Sequence, residues 1–373
     1  MSHMPRPLSD GQVLSLRMRS QWLTGRRATD VRDVVGHMGG LQAQAAAPAR
    51  LAVRPRGAGL DARAVTRACN EERSVVRTWA MRGTLHMVAA DDVGWLVALL
   101  GPRFAAADRR RRLQLGLDEG VRARGLEAIG EVLAGGRPRT RAELVRELAG
   151  KGVAIDAEGQ APAHLVAYAA MRGLVCRGPD LPGDEPTYVL LKDWVGARPE
   201  LDLEAALAEL ARRYVGAYGP AGAADLAAWS GIPLGQARRG LELVTGELEE
   251  VEVAGERAWV AGGVEPDVPG VEDPCVRLLG QFDAYLLGYR SRELALPSRF
   301  ARRIQAGGGL IQPAVVVDGR VVGTWRQRRG GRRLTVTVEP FERLDRAILP
   351  GLEAEAADVG RFLGTETALA VTG

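Results

Sequence analysis

Lysine is almost missing from this chain of 373 residues. Of its 50 basic residues only Lys151 and Lys192 are lysines, and every other one is arginine. A reaction that proceeds through a Schiff base needs an amine nucleophile, and this chain offers few. The arginine excess has two readings: the codon preference of a GC-rich genome, and recognition of phosphate by planar guanidinium forks. Against 46 acidic residues the net charge is only +4, too little to argue nucleic-acid binding by itself. Cysteine is scarce as well. Cys69, Cys176 and Cys275 are far apart, with no CxxC, which fits reduced intracellular thiols rather than a disulfide framework. The histidines are His3, His37, His86 and His164, none at metal-ligand spacing, so neither a metal nor a cofactor is expected. GxGxxG after a strand, a GxxxxGK[ST] phosphate loop and a GxSxG elbow are all lacking, which removes many common enzyme classes. No apolar run approaches the roughly 20 residues that a membrane span needs. Met1-Ser2-His3-Met4 reads as a cloning scar, no signal peptide follows, and a cytoplasmic protein without membrane contact is expected.

What is present is an alternation of helical and strand-like patterns, in a length that suggests two to four domains. Residues 8–23 have helical periodicity, with Leu14, Leu16, Met18 and Trp22 able to share a face. Thr29 and Asp30 offer caps for a second helix over 31–39, which Gly39-Gly40 ends. A helix over 61–69 precedes strands at 75–79 and 83–88. The order then recurs. Thr140 and Glu143 form a capping box before a helix to Leu148; a helix over 160–172 follows, then strands 174–176 and 187–191 around a Pro/Gly-rich loop. It recurs again as helices 203–214, 223–229 and 233–243 before a hairpin, 248–253 and 257–260, that turns at Gly255. Helices followed by a two-stranded wing is the order of a winged helix, a unit that most often binds nucleic acid.

A composition shift starts at Gly262, with Pro266, Pro269 and Pro274. Beyond it, strands 276–279, 311–317, 320–326 and 333–338, with turns at Asp318-Gly319 and Gly330-Gly331, and a closing helix 344–363 predict a small curled sheet. The expected architecture is α+β: three tandem winged-helix units (8–117, 118–198 and 199–262) and a C-terminal β-rich, barrel-like unit (263–373). Arg326, Arg328, Arg329, Arg332 and Arg333 surround the tip of the last hairpin, where phosphate contacts or minor-groove insertion would suit them; a solvated surface hairpin is the plainer reading. Arg109–Arg112 is a second basic run, read as an exposed helix face.

Gly40-Leu41-Gln42-Ala43-Gln44, the stretch Arg77-Thr78-Trp79-Ala80-Met81-Arg82-Gly83-Thr84-Leu85-His86, and Phe282-Asp283-Ala284-Tyr285-Leu286-Leu287-Gly288-Tyr289-Arg290-Ser291-Arg292 carry a family resemblance. Together they resemble the bacterial winged-helix DNA glycosylases of the AlkZ and YcaQ type, over residues 8–363. Gln281 stands where the family pattern expects proline. The resemblance implies a C-shaped monomer that embraces double-stranded DNA and excises alkylated purines, N7-linked crosslinks included, in base excision repair or in self-resistance to a DNA-alkylating metabolite. It implies a catalytic Gln-Φ-Gln (Φ, an apolar residue), here Gln42 and Gln44, where the other branch has Gln-Φ-Asp.

Such a pair makes chemical sense. An N7-alkylated purine is cationic and leaves as a neutral base, so no strong general acid is required. A glutamine carbonyl can accept a hydrogen bond from the attacking water and face the developing sugar cation. Glutamines two residues apart share a side on extended chain and diverge by roughly 200° on a helix, so an extended segment is expected after Gly39-Gly40. Gln44 is expected to position water, and Gln42 to orient Gln44 or bind beside the sugar. The scarce lysines predict a monofunctional enzyme. Arg82 and His86 are expected at the DNA, His86 by alternating outward from its strand, with a satisfied structural histidine as the other reading; Trp79 is expected in the core. Asp283 and Tyr285 are read as anchors, and Arg290 and Arg292 as phosphate contacts or partners of nearby carboxylates. The competing readings are a non-catalytic winged-helix DNA-binding regulator and a protein-interaction scaffold.

Overall fold

Several helices in this chain begin where the sequence supplies an acceptor for their first free amides. Ser9 and Gln12 form a capping box at the start of Asp10–Ser20, and Thr140 and Glu143 form another at Arg141–Gly150, where the Thr140 amide donates to Glu143 at 2.7 Å. The computed structural model describes residues 5–153, 155–197, 201–263, 274–331 and 333–372. Met1–Met4, Pro266, Pro269 and Arg332 lie outside the described residues. The chain is a mixed α+β protein that divides into two compact units. The first gathers Met1–Val65, Leu207–Trp229 and Pro233–Gly373; the second gathers Thr66–Ala206 and Ser230–Ile232.

The first unit holds two sheets. In the smaller, Arg6–Leu8 runs parallel to Leu248–Val253, which pairs antiparallel with Glu256–Ala261. The larger has five strands in chain order: Val276–Leu279, Ala314–Val317, Arg320–Gly330, Arg333–Pro340 and Glu366–Val371. Neighbours are antiparallel except the last pair, which is parallel. A parallel neighbour demands a crossover, and the helix Leu349–Leu363 provides it. That helix starts five residues later than its apolar pattern suggests. Pro350 stands in its first turn, where a missing amide costs nothing. Its Gly351 lies against Val276, whose Cγ2 would sit 2.6 Å from an added Cβ, so helix and sheet meet at close range. The last strand, Glu366–Val371, is not among the sequence expectations. Asp318 and Gly319 both have positive φ, 48° and 82°, the backbone of a tight hairpin turn. Leu14, Met18, Leu279, Tyr285, Val316 and Val321 pack in the core beneath this sheet.

The second unit pairs Leu85–Ala89 with Val75–Trp79, then Val175–Arg177, Thr187–Leu190 and Arg139–Thr140, all antiparallel. Arg77 opposite Arg177 joins the two hairpins into one sheet. Helices Val93–Ala107, Glu119–Leu133, Arg141–Gly150 and Ala161–Met171 belong to it. Gly101 lets the first of these approach the last so closely that a Cβ would meet Met171 O at 2.0 Å. Leu117, Ile129, Leu133, Leu144, Leu165 and Val175 form the core, with Trp79 packed partly buried against it. The Arg109–Arg112 run is not a uniform exposed face: Arg112 is 1% exposed, bonded to Ala105 O and set over the Tyr168 ring. Among the described residues no helix is long and apolar enough to cross a membrane.

Candidate active site

The segment with the two glutamines is shaped by the helix before it. Asp30 caps Val31–His37 by accepting the Arg32 amide at 2.6 Å. At the other end the Gly39 amide donates to Gly36 O and the Gly40 amide to Val35 O, both at 3.1 Å. With Gly39 at φ 63°, this is a Schellman stop. A Cβ on Gly39 would also meet the Trp229 ring at 3.1 Å, so glycine suits both the positive φ and the tight space. Tyr218 fixes the turn from outside by donating to Met38 O at 3.2 Å.

The chain then leaves in extended form, Leu41–Gln42. Leu41 and Ala43 are buried at 1% and 5% exposure, while Gln42 is half-buried and Gln44 exposed. The alternation places both glutamines on one side, and Gln42 Nε2 donates to Gln44 Oε1 at 2.5 Å. The expectation from residue spacing, extended chain and a shared side, is what the backbone adopts. The bond orients the second amide through the first. It leaves the Gln44 NH2 and one lone pair of its carbonyl for a water or a sugar. Immediately afterwards the helix Ala46–Val53 begins at Ala45 with no side-chain cap.

That helix ends on two buried arginines. Arg54 donates to Glu355 and Asp358, each at 2.7 Å, and to Leu278 O at 2.6 Å. Arg56 grips both oxygens of Asp283, at 2.8 and 2.9 Å, and reaches Ala52 O and Gln21. Burial works to raise the Asp358 pKa, but the Arg54 and Arg361 guanidiniums outweigh it and hold the carboxyl below its ordinary range. The glutamine segment is therefore held between a glycine stop and a double ionic clamp. Sequence reasoning saw Asp283 and Tyr285 as anchors, and both are: Tyr285 donates to Gly319 O at 2.7 Å. It missed Arg54 and Arg56, because a basic Arg-Pro-Arg gives no sign of being buried.

Arg328, Arg329 and Arg333 are exposed on the long hairpin, with no carboxylate partner among the described residues. Arg326 is exposed but forms an ion pair with Glu339, and Arg332 lies outside the described residues. Arg290 pairs with Glu256 at 3.4 Å, and Arg292 donates to Leu286 O. In the second unit, Arg82 sits at φ 55° beside an open cleft of about 490 Å³ that it shares with Trp79, Phe104 and His164. The expectation for His86 is corrected. Every residue of Leu85–Ala89 is buried, so the strand has no outward face, and His86 is 2% exposed with Nδ1 2.9 Å from Thr84 O. Burial, with Arg82 nearby, pushes its pKa down to about 3. His37, stacked on Trp22 at 3.8 Å and bonded to Ser20 O at 2.6 Å, is likewise lowered by burial to about 4. Among the described residues no group of three or more His, Cys, Asp or Glu side chains is placed to hold a metal ion.

Comparison with known proteins bears on the whole chain. Residues 35–362 match the family model described as DNA glycosylase AlkZ-like. A Streptomyces sahachiroi protein called an interstrand DNA cross-link repair glycosylase is 34% identical, the alignment covering 95% of this chain and 96% of that one. The solved structure of the Streptomyces sahachiroi DNA glycosylase AlkZ superposes with a TM-score of 0.78 at 30% identity, covering 98% of this chain and 100% of that chain.

Proposed function

The chain belongs to the AlkZ-like DNA glycosylase family, and from that premise we propose that it hydrolyses the N-glycosidic bond of cationic, N7-alkylated purines, including purines joined in interstrand crosslinks. The observation that carries this reading is the bonded pair of amides, Gln42 to Gln44 at 2.5 Å. A neutral amide cannot take a proton from water at neutral pH. It can hold the water and set a carbonyl dipole against the positive charge that develops on the sugar. That is sufficient only when the departing base already carries its own positive charge. Gln44, exposed, addresses the water; Gln42 holds Gln44 in position.

Two further features support the reading. Lys151 and Lys192 both belong to the second unit, and the first unit, which bears the glutamines, contains no lysine. A chain with so few amines is read as leaving an abasic site rather than forming a Schiff base. Gln44 is open to solvent, which suits a lesion too bulky to be flipped into an enclosed pocket. Binding falls to Arg82 and to the hairpin arginines Arg326, Arg328, Arg329, Arg332 and Arg333. In this reading the recurring helix-then-hairpin order forms three winged-helix units ahead of a barrel-like C-terminal unit. A regulator that only binds DNA has no use for an oriented amide pair.

The test is base release from a duplex carrying one N7-methylguanine. Gln44→Ala should lower single-turnover release by on the order of 10²–10³-fold, the cost of removing one preorganised polar group, and Gln42→Ala by less. A duplex with uracil should release nothing. Wild-type rates in both variants would overturn the assignment.

A further inference from the structure

We propose that the first unit carries a second phosphate site, in the cleft between the helix Leu234–Val244 and the hairpin of residues 248–261, and that it takes a backbone phosphate of DNA. The cleft measures about 610 Å³, and none of its lining residues belongs to the glutamine segment or to the arginine hairpin of residues 320–340.

Arg17 lies in it at 8% exposure. Its Nε donates to Pro220 O at 3.1 Å, and its guanidinium lies 3.7 Å from the Tyr289 ring centroid. These contacts fix the plane of the fork and leave its two terminal nitrogens. Among the described residues no carboxylate pairs with Arg17, and no acceptor meets those nitrogens. An arginine at this depth ordinarily ends on an anion, as Arg54 and Arg56 do in the same unit. Trp259 also lines the cleft, and its Nε1 is buried with no hydrogen-bond acceptor. Arg238, exposed at the rim, has no ion pair among the described residues.

Three carboxylates line the cleft as well, and each has a partner of its own. Asp225 accepts the Gly222 amide at 3.1 Å and the Arg290 amide at 2.9 Å. Glu256 lies 3.4 Å from Arg290, and Glu242 3.8 Å from Arg239. The unpaired groups at the cleft, Arg17 and Arg238, are both guanidiniums, which donate and never accept. Their complement is an anion with several acceptor oxygens. A phosphodiester presents two non-bridging oxygens that match a guanidinium fork. The cleft is far larger than one phosphate and open at its rim, so it accommodates a group that remains attached to a strand. Such contacts fix register on the duplex without reading sequence. The proposal rests on the chain being a DNA glycosylase, not on the choice of lesion or the roles of the glutamines. Inorganic phosphate shares the chemistry, and the test separates the two.

The experiment measures binding of the full chain to an undamaged duplex by fluorescence anisotropy over a range of KCl concentrations. Arg17→Gln should reduce the slope of log affinity against log salt by roughly 0.9, the value for one phosphate contact. Arg17→Lys, which keeps the charge, should restore most of the slope while still binding more weakly than wild type. Arg238→Ala, at the rim and harmless to folding, should also lower the slope. In parallel, melting temperatures are taken in millimolar inorganic phosphate against chloride of equal ionic strength. If phosphate stabilises wild type but not Arg238→Ala while all slopes stay equal, the site takes free phosphate and the assignment to DNA fails. If Arg17→Lys and Arg238→Ala both match wild type in slope and affinity, and phosphate stabilises no more than chloride, the whole proposal fails. No base release enters these measurements, so neither outcome touches the catalytic reading.

Discussion

Arg54 and Arg56 are 1% and 0% exposed, whereas Arg328, Arg329 and Arg333 of the same unit stand in solvent. One residue type serves opposite ends. A guanidinium can be buried when its fork meets acceptors on several sides. Arg54 finds two carboxylates and a carbonyl, and Arg56 a whole carboxylate, a carbonyl and an amide. The hairpin arginines have no such neighbours, and their charge is directed outward. An arginine-rich composition is therefore not one signal. Part of it holds the fold together, and only the remainder is free to meet a polyanion.

The largest effect should come from breaking the buried set. Arg56→Ala leaves Asp283 buried, at 0% exposure, without its counter-charge. Removing one partner of a buried pair costs about 3–5 kcal/mol, read as a lower midpoint in urea unfolding. Replacing both partners, Arg56→Met with Asp283→Leu, should recover most of that loss, because two desolvated charges disappear together. It should not recover all. Asp283 also accepts the Tyr285 amide at 2.9 Å and caps the short helix Ala284–Leu287, and losing a cap costs about 1 kcal/mol. A cost well under 1 kcal/mol for Arg56→Ala would mean that the contrast between the two sets is only one of exposure.

Much of the scaffold was legible before the structure. The strand Val75–Trp79, the capping box at Thr140, the Asp318-Gly319 turn and the extended glutamine segment follow from local rules. These depend on a few neighbouring residues and on period two. What escaped depends on partners far along the chain. Val93–Ala107 is apolar nearly all round with Pro102 inside it, so it has no stripe to mark it as a helix. Arg6–Leu8 becomes a strand only because Leu248–Val253 lies beside it. His86 was misread for the same reason, since alternation predicts an outward face only when one side of a sheet is wet. The amide pair itself could be placed from spacing and a family motif, but its ionic clamp required Arg56 and Asp283 to meet across 227 residues.

A middle-sized effect separates buried cations from buried neutral bases. His37 and His86 are held neutral, at pKa values near 4 and 3, because burial is met only by a backbone carbonyl. Between those values and the unfolded value of about 6.5, the unfolded chain binds more protons than the native one. Stability should therefore fall as pH drops below about 6.5, by about 1 kcal/mol per pH unit for each histidine. The loss should level off near pH 4 for His37 and near pH 3 for His86. Asp358 adds its own loss below its unfolded value of about 4, since its folded carboxyl is held low. Urea midpoints at pH 7, 6 and 5 should show the slope, and His86→Gln should remove its share. A flat profile over that range would mean that burial does not penalise the imidazolium, and so that the arginines need no acceptors either.

The smallest effects in stability should come from the hairpin, and they sharpen the comparison most. Arg328→Ala and Arg329→Ala touch no buried group and should change stability by less than about 0.5 kcal/mol. Their effect should appear in DNA binding alone, as a loss of roughly 0.9 in the salt slope for each phosphate contact removed. Arg326 provides the internal control. It is just as exposed, but Glu339 already neutralises it, so Arg326→Ala should lower the slope by less than Arg328→Ala. Arg326→Ala with Glu339→Gln should restore part of the lost affinity, because the second change removes a negative charge from beside the hairpin arginines. If all three arginines leave the slope unchanged, exposure without a partner is not enough to make an arginine a DNA contact. The outward set would then be only a solvated face, and phosphate binding would fall to cations such as Arg17, whose plane is fixed before any ligand arrives.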